Sequence, residues 1–76
     1  MNTNARHSGR LVSWLPDEDF GEIAMAGMQP ILVYGSDLRM AGIAKPEVGM
    51  RVDFRIDAHP AKFVTAAVDI RVPRAD

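Results

Sequence analysis

Apolar and charged residues alternate regularly over residues 51–57, which is the pattern of a β-strand with one buried face. Val52, Phe54 and Ile56 occupy one parity, and arginines and aspartates occupy the other. Because successive strand residues point to opposite sides of a sheet, the three apolar side chains are expected in a core. This stretch is predicted to be the fourth strand of the chain.

Weaker forms of the same pattern predict four more strands, over residues 10–15, 20–25, 31–34 and 63–72. Proline, glycine and aspartate punctuate the segments between them, as expected for turns. One helical turn is predicted at residues 36–40, with Ser36 or Asp37 as its cap. Five short strands with turn signals between them favour an all-β fold, a small five-stranded antiparallel barrel.

The domain boundaries follow from the same pattern. Residues 1–9 are polar and lack a period, so they are predicted to be a flexible N-terminal tail. Residues 10–73 are predicted to form one domain, and residues 74–76 a short C-terminal end. A chain of 76 residues has room for only one small core.

Strand parity predicts which side chains fill that core. In the first strand both parities are partly apolar, so alternation alone leaves its orientation open. In the last strand Ala66 and Val72 are predicted to point inward and Ala67 outward. The predicted core consists of Val12, Ile23, Ile31, Val33, Val52, Phe54, Ile56, Val68 and Ile70.

Composition narrows the possible functions. The chain has no cysteine, which excludes disulfides, thiolate chemistry and cysteine-ligated zinc. Its two histidines lie far apart in the sequence, and no acid and histidine cluster has the spacing of metal ligands or of a catalytic site. We therefore expect neither an enzyme nor a metal or cofactor site. No apolar run resembles a signal peptide or a membrane span, so a cytoplasmic location is expected.

Two aromatic residues on the predicted second and third strands point to a function. Phe20 and Tyr34 fall on the parity opposite to Ile23 and Val33, and so are expected on the outer face of the sheet. Exposed rings are not needed for folding, and small barrels use rings on a sheet surface to stack nucleic-acid bases. The net charge of −1 offers no global attraction for phosphates.

The segments that carry these rings resemble the cold-shock domain, an OB-type barrel that binds single-stranded RNA and DNA. Residues 20–23, Phe-Gly-Glu-Ile, resemble its first RNA-binding motif, and residues 31–38, Ile-Leu-Val-Tyr-Gly-Ser-Asp-Leu, resemble its second. Spacing similar to that of the family continues to Phe54, and the resemblance covers about residues 10–72. It implies an OB-like barrel of cold-shock type.

The resemblance also implies a binding site on that barrel. Trp14, Phe20 and Tyr34 would stack bases, Leu32 would add apolar area, and Arg39, Lys45 and Lys62 would lie near the phosphates. From its residue type alone, Trp14 fits a core position as well as a binding surface. Glu22 and Gly35 depart from the family pattern, which has rings there, and Asp17, Glu18 and Asp19 add negative charge.

Two functions therefore remain open. The first is weak binding of single-stranded RNA or DNA by base stacking. The second is a barrel of the same fold that no longer binds nucleic acid and contacts a protein partner instead. For the second, the uncharged loop with Met25 and Met28 is a candidate surface, because methionines adapt to varied partners, although either residue could simply close the core.

Overall fold

The computed structural model describes residues 5–59 and 64–73. Within these residues it has five strands and one short helix, confirming a mostly β fold. The elements are β1 (His7–Leu15), β2 (Phe20–Ala24), β3 (Ile31–Tyr34), α1 (Gly35–Met40), β4 (Arg51–Ala58) and β5 (Thr65–Arg71).

The strands are hydrogen-bonded in a closed ring in the order β1-β2-β3-β5-β4. Four neighbouring pairs are antiparallel, but β3 and β5 are parallel, with Leu32 beside Ala66. The prediction of a fully antiparallel sheet was therefore wrong. The reason is geometric, since directions cannot alternate around a closed ring with an odd number of strands and at least one pair must run parallel.

The predicted strands correspond to the observed ones, with differences at their ends. β1 begins at His7 rather than Arg10, because His7 to Arg10 pair with β4, with His7 opposite Phe54. Residues 7–9, which were predicted to end the flexible N-terminal tail, therefore belong to β1. The ring of His7 also stacks on that of Phe54, with centroids 6.0 Å apart. The predicted start of β5 at Phe63 lies outside the described residues.

The interior of the ring confirms most of the predicted core. Ile23, Val33, Val52, Phe54 and Ile70 are buried in one cluster, and Ile31 and Ile56 pack against it half-buried. Three further buried members were not predicted, and they are Leu11, Ile43 and Ala67, whereas Leu38 of the predicted helical turn is buried as expected for a residue that plugs the barrel.

A bulge in β1 explains why Val12 is not in the core. Leu11 is opposite Ile23 but Ser13 is opposite Glu22, so Val12 is an extra residue in β1. The extra residue reverses the parity, and Leu11 points inward while Val12 is 46% exposed. The predicted core position of Val12 was wrong, because a bulge leaves no mark in the hydrophobic pattern.

A second irregularity shifts the parity of β5. Val68 is opposite Arg55 and Arg71 is opposite Asp53, so β5 has one residue more than β4 between these pairs. Asp69 has a φ of 52°, a left-handed conformation that aspartate tolerates better than most residues. Ala67 consequently joins the core, Val68 is buried outside the core cluster, and Val72 is exposed rather than inward.

The helix α1 closes one end of the ring. Leu38 is buried, whereas Met40 at the helix end is exposed. Neither Ser36 nor Asp37 caps it as predicted, because the N-cap residue is Tyr34, without a side-chain hydrogen bond. After the helix, Gly42 with a φ of 86° turns the chain so that Ile43 can enter the core.

Candidate nucleic-acid interface

Two aromatic rings lie side by side on the outer surface of β2 and β3. Phe20 is directly opposite Tyr34, and their ring centroids are 6.3 Å apart with an interplanar angle of 56°. Both residues are half-buried, while their neighbours Gly21 and Val33 point inward and are buried. The alternation of small or apolar inward residues with aromatic outward ones puts both rings where a ligand can reach them.

The next row of this surface is mixed in character. Glu22 is opposite Leu32 on β3 and opposite Ser13 on β1, so all three share the face of the rings. Glu22 is exposed and accepts a long hydrogen bond of 3.4 Å from the hydroxyl of Ser13. Leu15, opposite Phe20 on β1, is 47% exposed. We call the side chains of Leu15, Phe20, Glu22, Leu32 and Tyr34 the ring face.

Trp14 does not belong to the ring face. It is opposite Gly21, with parity opposite to that of Leu15 and Phe20, and it packs half-buried against the core. A Cβ atom at Gly21 would collide with the backbone carbonyl oxygen of Ser13 and lie 2.9 Å from the Trp14 ring, so the glycine makes room for the neighbouring strand and for the indole. Of the two roles that the sequence left open for Trp14, the structure thus mainly favours packing against the core. The three rings predicted to stack bases do not share one face, because Trp14 lies on the other side of the sheet from Phe20 and Tyr34.

The exposed part of Trp14 lines a separate groove of about 420 Å³. Its other lining residues are Pro16, Asp19, Arg39, Ala44, Lys45, Pro46 and Glu47. The structure therefore brings together Trp14, Arg39 and Lys45, three of the predicted binding residues, but beside the ring face and not on it. Lys62 lies outside the described residues.

Arg39 is already engaged by a carboxylate. Its two terminal nitrogens donate to the two carboxylate oxygens of Asp19 at 3.0 and 2.8 Å. The hydrogen bond with Asp19, together with its negative charge, raises the pKa of Arg39 above the ordinary value. A guanidinium held in this bidentate way has less to offer a phosphate, and Lys45 is the cation of this groove without an ion pair among the described residues.

Asp19 also explains why Gly35 has no side chain. The backbone N–H of Gly35 donates to the carbonyl of Asp19 at 2.8 Å, and a Cβ atom at Gly35 would collide with the Asp19 carboxylate. Any side chain at position 35 would have to displace the Asp19 carboxylate, which is held by Arg39. The acidic turn therefore shapes the end of the ring face, in addition to the negative charge that it adds there.

His59 and Asp37 are the residues near the ring face that sequence reasoning missed. The ring of Tyr34 meets that of His59 edge to face at 5.2 Å, and Nε2 of His59 lies 2.8 Å from a carboxylate oxygen of Asp37. His59 is buried at 7% exposure. His59 and Asp37 stand 22 positions apart, so no local pattern in the sequence predicts their contact. The ring of His59 in turn packs against that of Tyr34.

Residues 5–59 and 64–73 contain no group of three or more metal-ligating side chains. In the same part of the chain, no helix has the length and apolar character needed to cross a membrane.

Comparison with known proteins adds no family to this description. Neither the scan against protein-family models nor the search of curated proteins found a match to this sequence.

Proposed function

We propose that this protein is an OB-like barrel of cold-shock type that binds single-stranded RNA or DNA weakly, by stacking bases on Phe20 and Tyr34. The observation that carries the proposal is the direct cross-strand pairing of these two half-exposed rings. Stacking on an aromatic side chain is worth about 1–3 kcal/mol per base and accepts every base.

The order of the strands supports the same proposal. OB-type barrels have five strands in a Greek-key ring and bind ligands on the face of the second and third strands. The rings of Phe20 and Tyr34 lie on β2 and β3, and Leu32 adds apolar area beside them. The position of the ring face on β2 and β3 supports the proposal, because OB-type barrels bind oligonucleotides with the face of these strands.

The charges around the ring face set the strength of binding. Glu22 lies in the row next to the rings, Arg39 is paired with Asp19, and Asp17 and Glu18 are exposed in the adjoining turn. Carboxylates near a phosphate backbone repel it. Affinity must come from stacking, with Lys45 and the undescribed Lys62 as the candidate phosphate contacts, so binding is expected to be weak.

Titration of fluorescently labelled oligo(U) and oligo(T) octamers, followed by anisotropy at low salt, tests the proposal. Phe20→Ala is expected to weaken binding by about 1–3 kcal/mol, or roughly fivefold to more than a hundredfold. Tyr34→Ala should weaken it similarly and also lower stability, because it removes the contact with His59. Val48→Ala, at an exposed position away from the rings, is the matched control.

Equal affinity of the native protein and Phe20→Ala, or no saturable binding of either oligonucleotide, would reject the proposal. The second candidate function, contact with a protein partner, would then apply. It is favoured by one observation in particular, the 53% exposure of Met28 in the uncharged loop between β2 and β3.

A further inference from the structure

Two arginines face each other across β1 and β4. Arg10 is directly opposite Arg51 in the register of these antiparallel strands, and both are exposed. Residues directly opposite project from the same side of a sheet, with Cβ atoms about 4.5–5.5 Å apart, and like charges in this position destabilise the pair. The arrangement is therefore unfavourable for the isolated fold.

The remaining described arginines are arranged differently. Arg6, Arg55 and Arg71 surround the carboxylate of Asp69, and Arg39 pairs with Asp19. Among residues 5–59 and 64–73, Arg10 and Arg51 have no ion pair.

The carboxylate of Asp53, on the same face, forms no ion pair with either arginine. Asp53 follows Arg51 by two residues and so shares its face, but it lies opposite Ser8, whose hydroxyl donates to it at 2.6 Å. The repulsion between Arg10 and Arg51 is thus left for an external anion to relieve.

The two arginines also line a groove with an apolar floor. The groove has a volume of about 460 Å³, and its other lining residues are Ser8, Gly9, Val12, Ala24, Met25 and Ala26. Val12 is there because the bulge in β1 turns it outward, leaving it 46% exposed. Met25 packs on the core from the other end of the groove and can adapt to a ligand.

We propose that this groove docks an acidic peptide segment of a protein partner. In an extended peptide, side chains two residues apart point the same way, and two carboxylates can pair with Arg10 and Arg51. The side chain of an apolar residue two positions beyond the second carboxylate points the same way and can rest on Val12 and Met25. Guanidinium groups suit this role, since they match the planar geometry of a carboxylate.

The chemistry of the groove favours a peptide over a nucleic acid. Phosphates would satisfy the arginines but have no use for the apolar floor, and no aromatic ring lines the groove to stack a base. The groove adjoins Ala24, at the opposite end of β2 from Phe20, and it shares no lining residue with the ring face.

The test uses the full chain and a fluorescein-labelled peptide, Gly-Glu-Ser-Glu-Ser-Leu-Gly, in which the two glutamates and the leucine share one face, titrated by anisotropy at low salt. We expect saturable binding that weakens by about tenfold or more in the double variant Arg10→Gln/Arg51→Gln. Arg71→Gln removes an exposed, ion-paired guanidinium and is expected to change affinity by less than about twofold. Val12→Ser should weaken binding by removing part of the floor.

Two controls test whether the double variant is folded and whether binding depends on the carboxylates of the peptide. The melting temperature of the double variant should equal or exceed that of the native protein, because the substitution removes a like-charge contact. A peptide with glutamine in place of glutamate should bind at least about tenfold more weakly.

Three results would overturn the proposal. They are equal peptide affinity in the native protein and the double variant, equal binding of the glutamine peptide, and a loss of oligo(U) affinity in the double variant without measurable peptide binding. The last result would assign the arginines to a nucleic-acid backbone. Failure of Phe20→Ala to change oligonucleotide binding would reject the function of the ring face and leave this groove unaffected.

Discussion

Glu22 makes the ring face a less efficient surface for base stacking. It is exposed, lies opposite Leu32 beside the two rings, and occupies a place where the cold-shock pattern has an aromatic residue. A carboxylate there offers no ring to a base and repels the phosphates that would follow it. The weakness of the proposed binding therefore depends to a large extent on one side chain.

Replacing Glu22 with phenylalanine should strengthen binding of oligo(U) and oligo(T) by about tenfold or more, because one stacking ring contributes about 1–3 kcal/mol. Anisotropy titrations measure the change. Glu22→Gln is the control that removes the charge without adding a ring, and it should give a smaller gain. If Glu22→Phe binds no more tightly than Glu22→Gln, the ring face does not stack bases.

Asp69 makes the stability of the folded state depend on pH. Partial burial by itself raises its pKa, but the charges of Arg71 and Arg6 and hydrogen bonds from Arg6 and Arg55 outweigh this and lower the pKa below its ordinary value of 3.8. A carboxylate with a lowered folded-state pKa stabilises the fold at pH values above the unfolded-state pKa. That contribution is lost as the pH falls below 3.8 and passes through the lowered value.

Asp69→Asn should lower the melting temperature by a constant amount from pH 7 to about pH 5, and the effect should shrink as the pH falls below 3.8 toward 3. Asparagine is the suitable replacement, since it tolerates the left-handed φ of 52° at this position. Thermal unfolding of both proteins from pH 7 to pH 3 checks this. A difference in melting temperature that stays constant over the whole range would show that the arginine contacts do not depend on the charge of Asp69.

The strands themselves were predictable, but their irregularities were not. Alternation located all five strands because each needs one apolar face, and residues 31–34 match β3 at both ends. The bulge at Val12 and the extra residue in β5 each reverse the inward parity without changing composition. Both are set by pairing with a neighbouring strand, which lies outside the local sequence.

The bulge in β1 predicts opposite outcomes for two adjacent residues. Leu11→Ala should destabilise the protein by about 2–5 kcal/mol, because Leu11 is buried in the core at 1% exposure. Val12→Ala should cost less than about 1 kcal/mol, because its side chain is exposed at the bulge. Urea unfolding of the two variants gives the comparison. A larger loss for Val12→Ala than for Leu11→Ala would contradict the register of β1.

The whole protein carries almost no net charge, so it has little overall electrostatic attraction for a polyanion such as a nucleic acid. Its formal charge is −1, and four arginines of the described residues are already paired with carboxylates. Affinity that comes from stacking depends little on salt, whereas each phosphate neutralised on a single strand adds about −0.7 to the slope of log affinity on log salt concentration.

We therefore expect a slope of about −0.7 to −1.4 for oligo(U) binding between roughly 20 and 200 mM salt, equivalent to one or two phosphates. Lys45→Gln should make the slope less steep, because Lys45 is the described candidate for a phosphate contact near the rings. Anisotropy titrations at four salt concentrations give the value. A slope of about −3 or steeper would mean that charge rather than stacking dominates binding.

The sequence by itself determined the elements of this protein. Hydrophobic alternation specified the strands, the burial of Phe54, Val52 and Ile23 in one core, and the outward parity of Phe20 and Tyr34. These features are local, because a strand with one buried face needs only its own period to be recognised.

Only the tertiary structure decided which residues meet. It closed five strands into a ring that must contain a parallel pair, turned Val12 outward and Trp14 toward the core, and paired Arg39 with Asp19. It also brought Arg10 opposite Arg51 and His59 beside Tyr34. These contacts join positions 20 to 41 residues apart, and they depend on strand register and bulges, which form only when the strands pair.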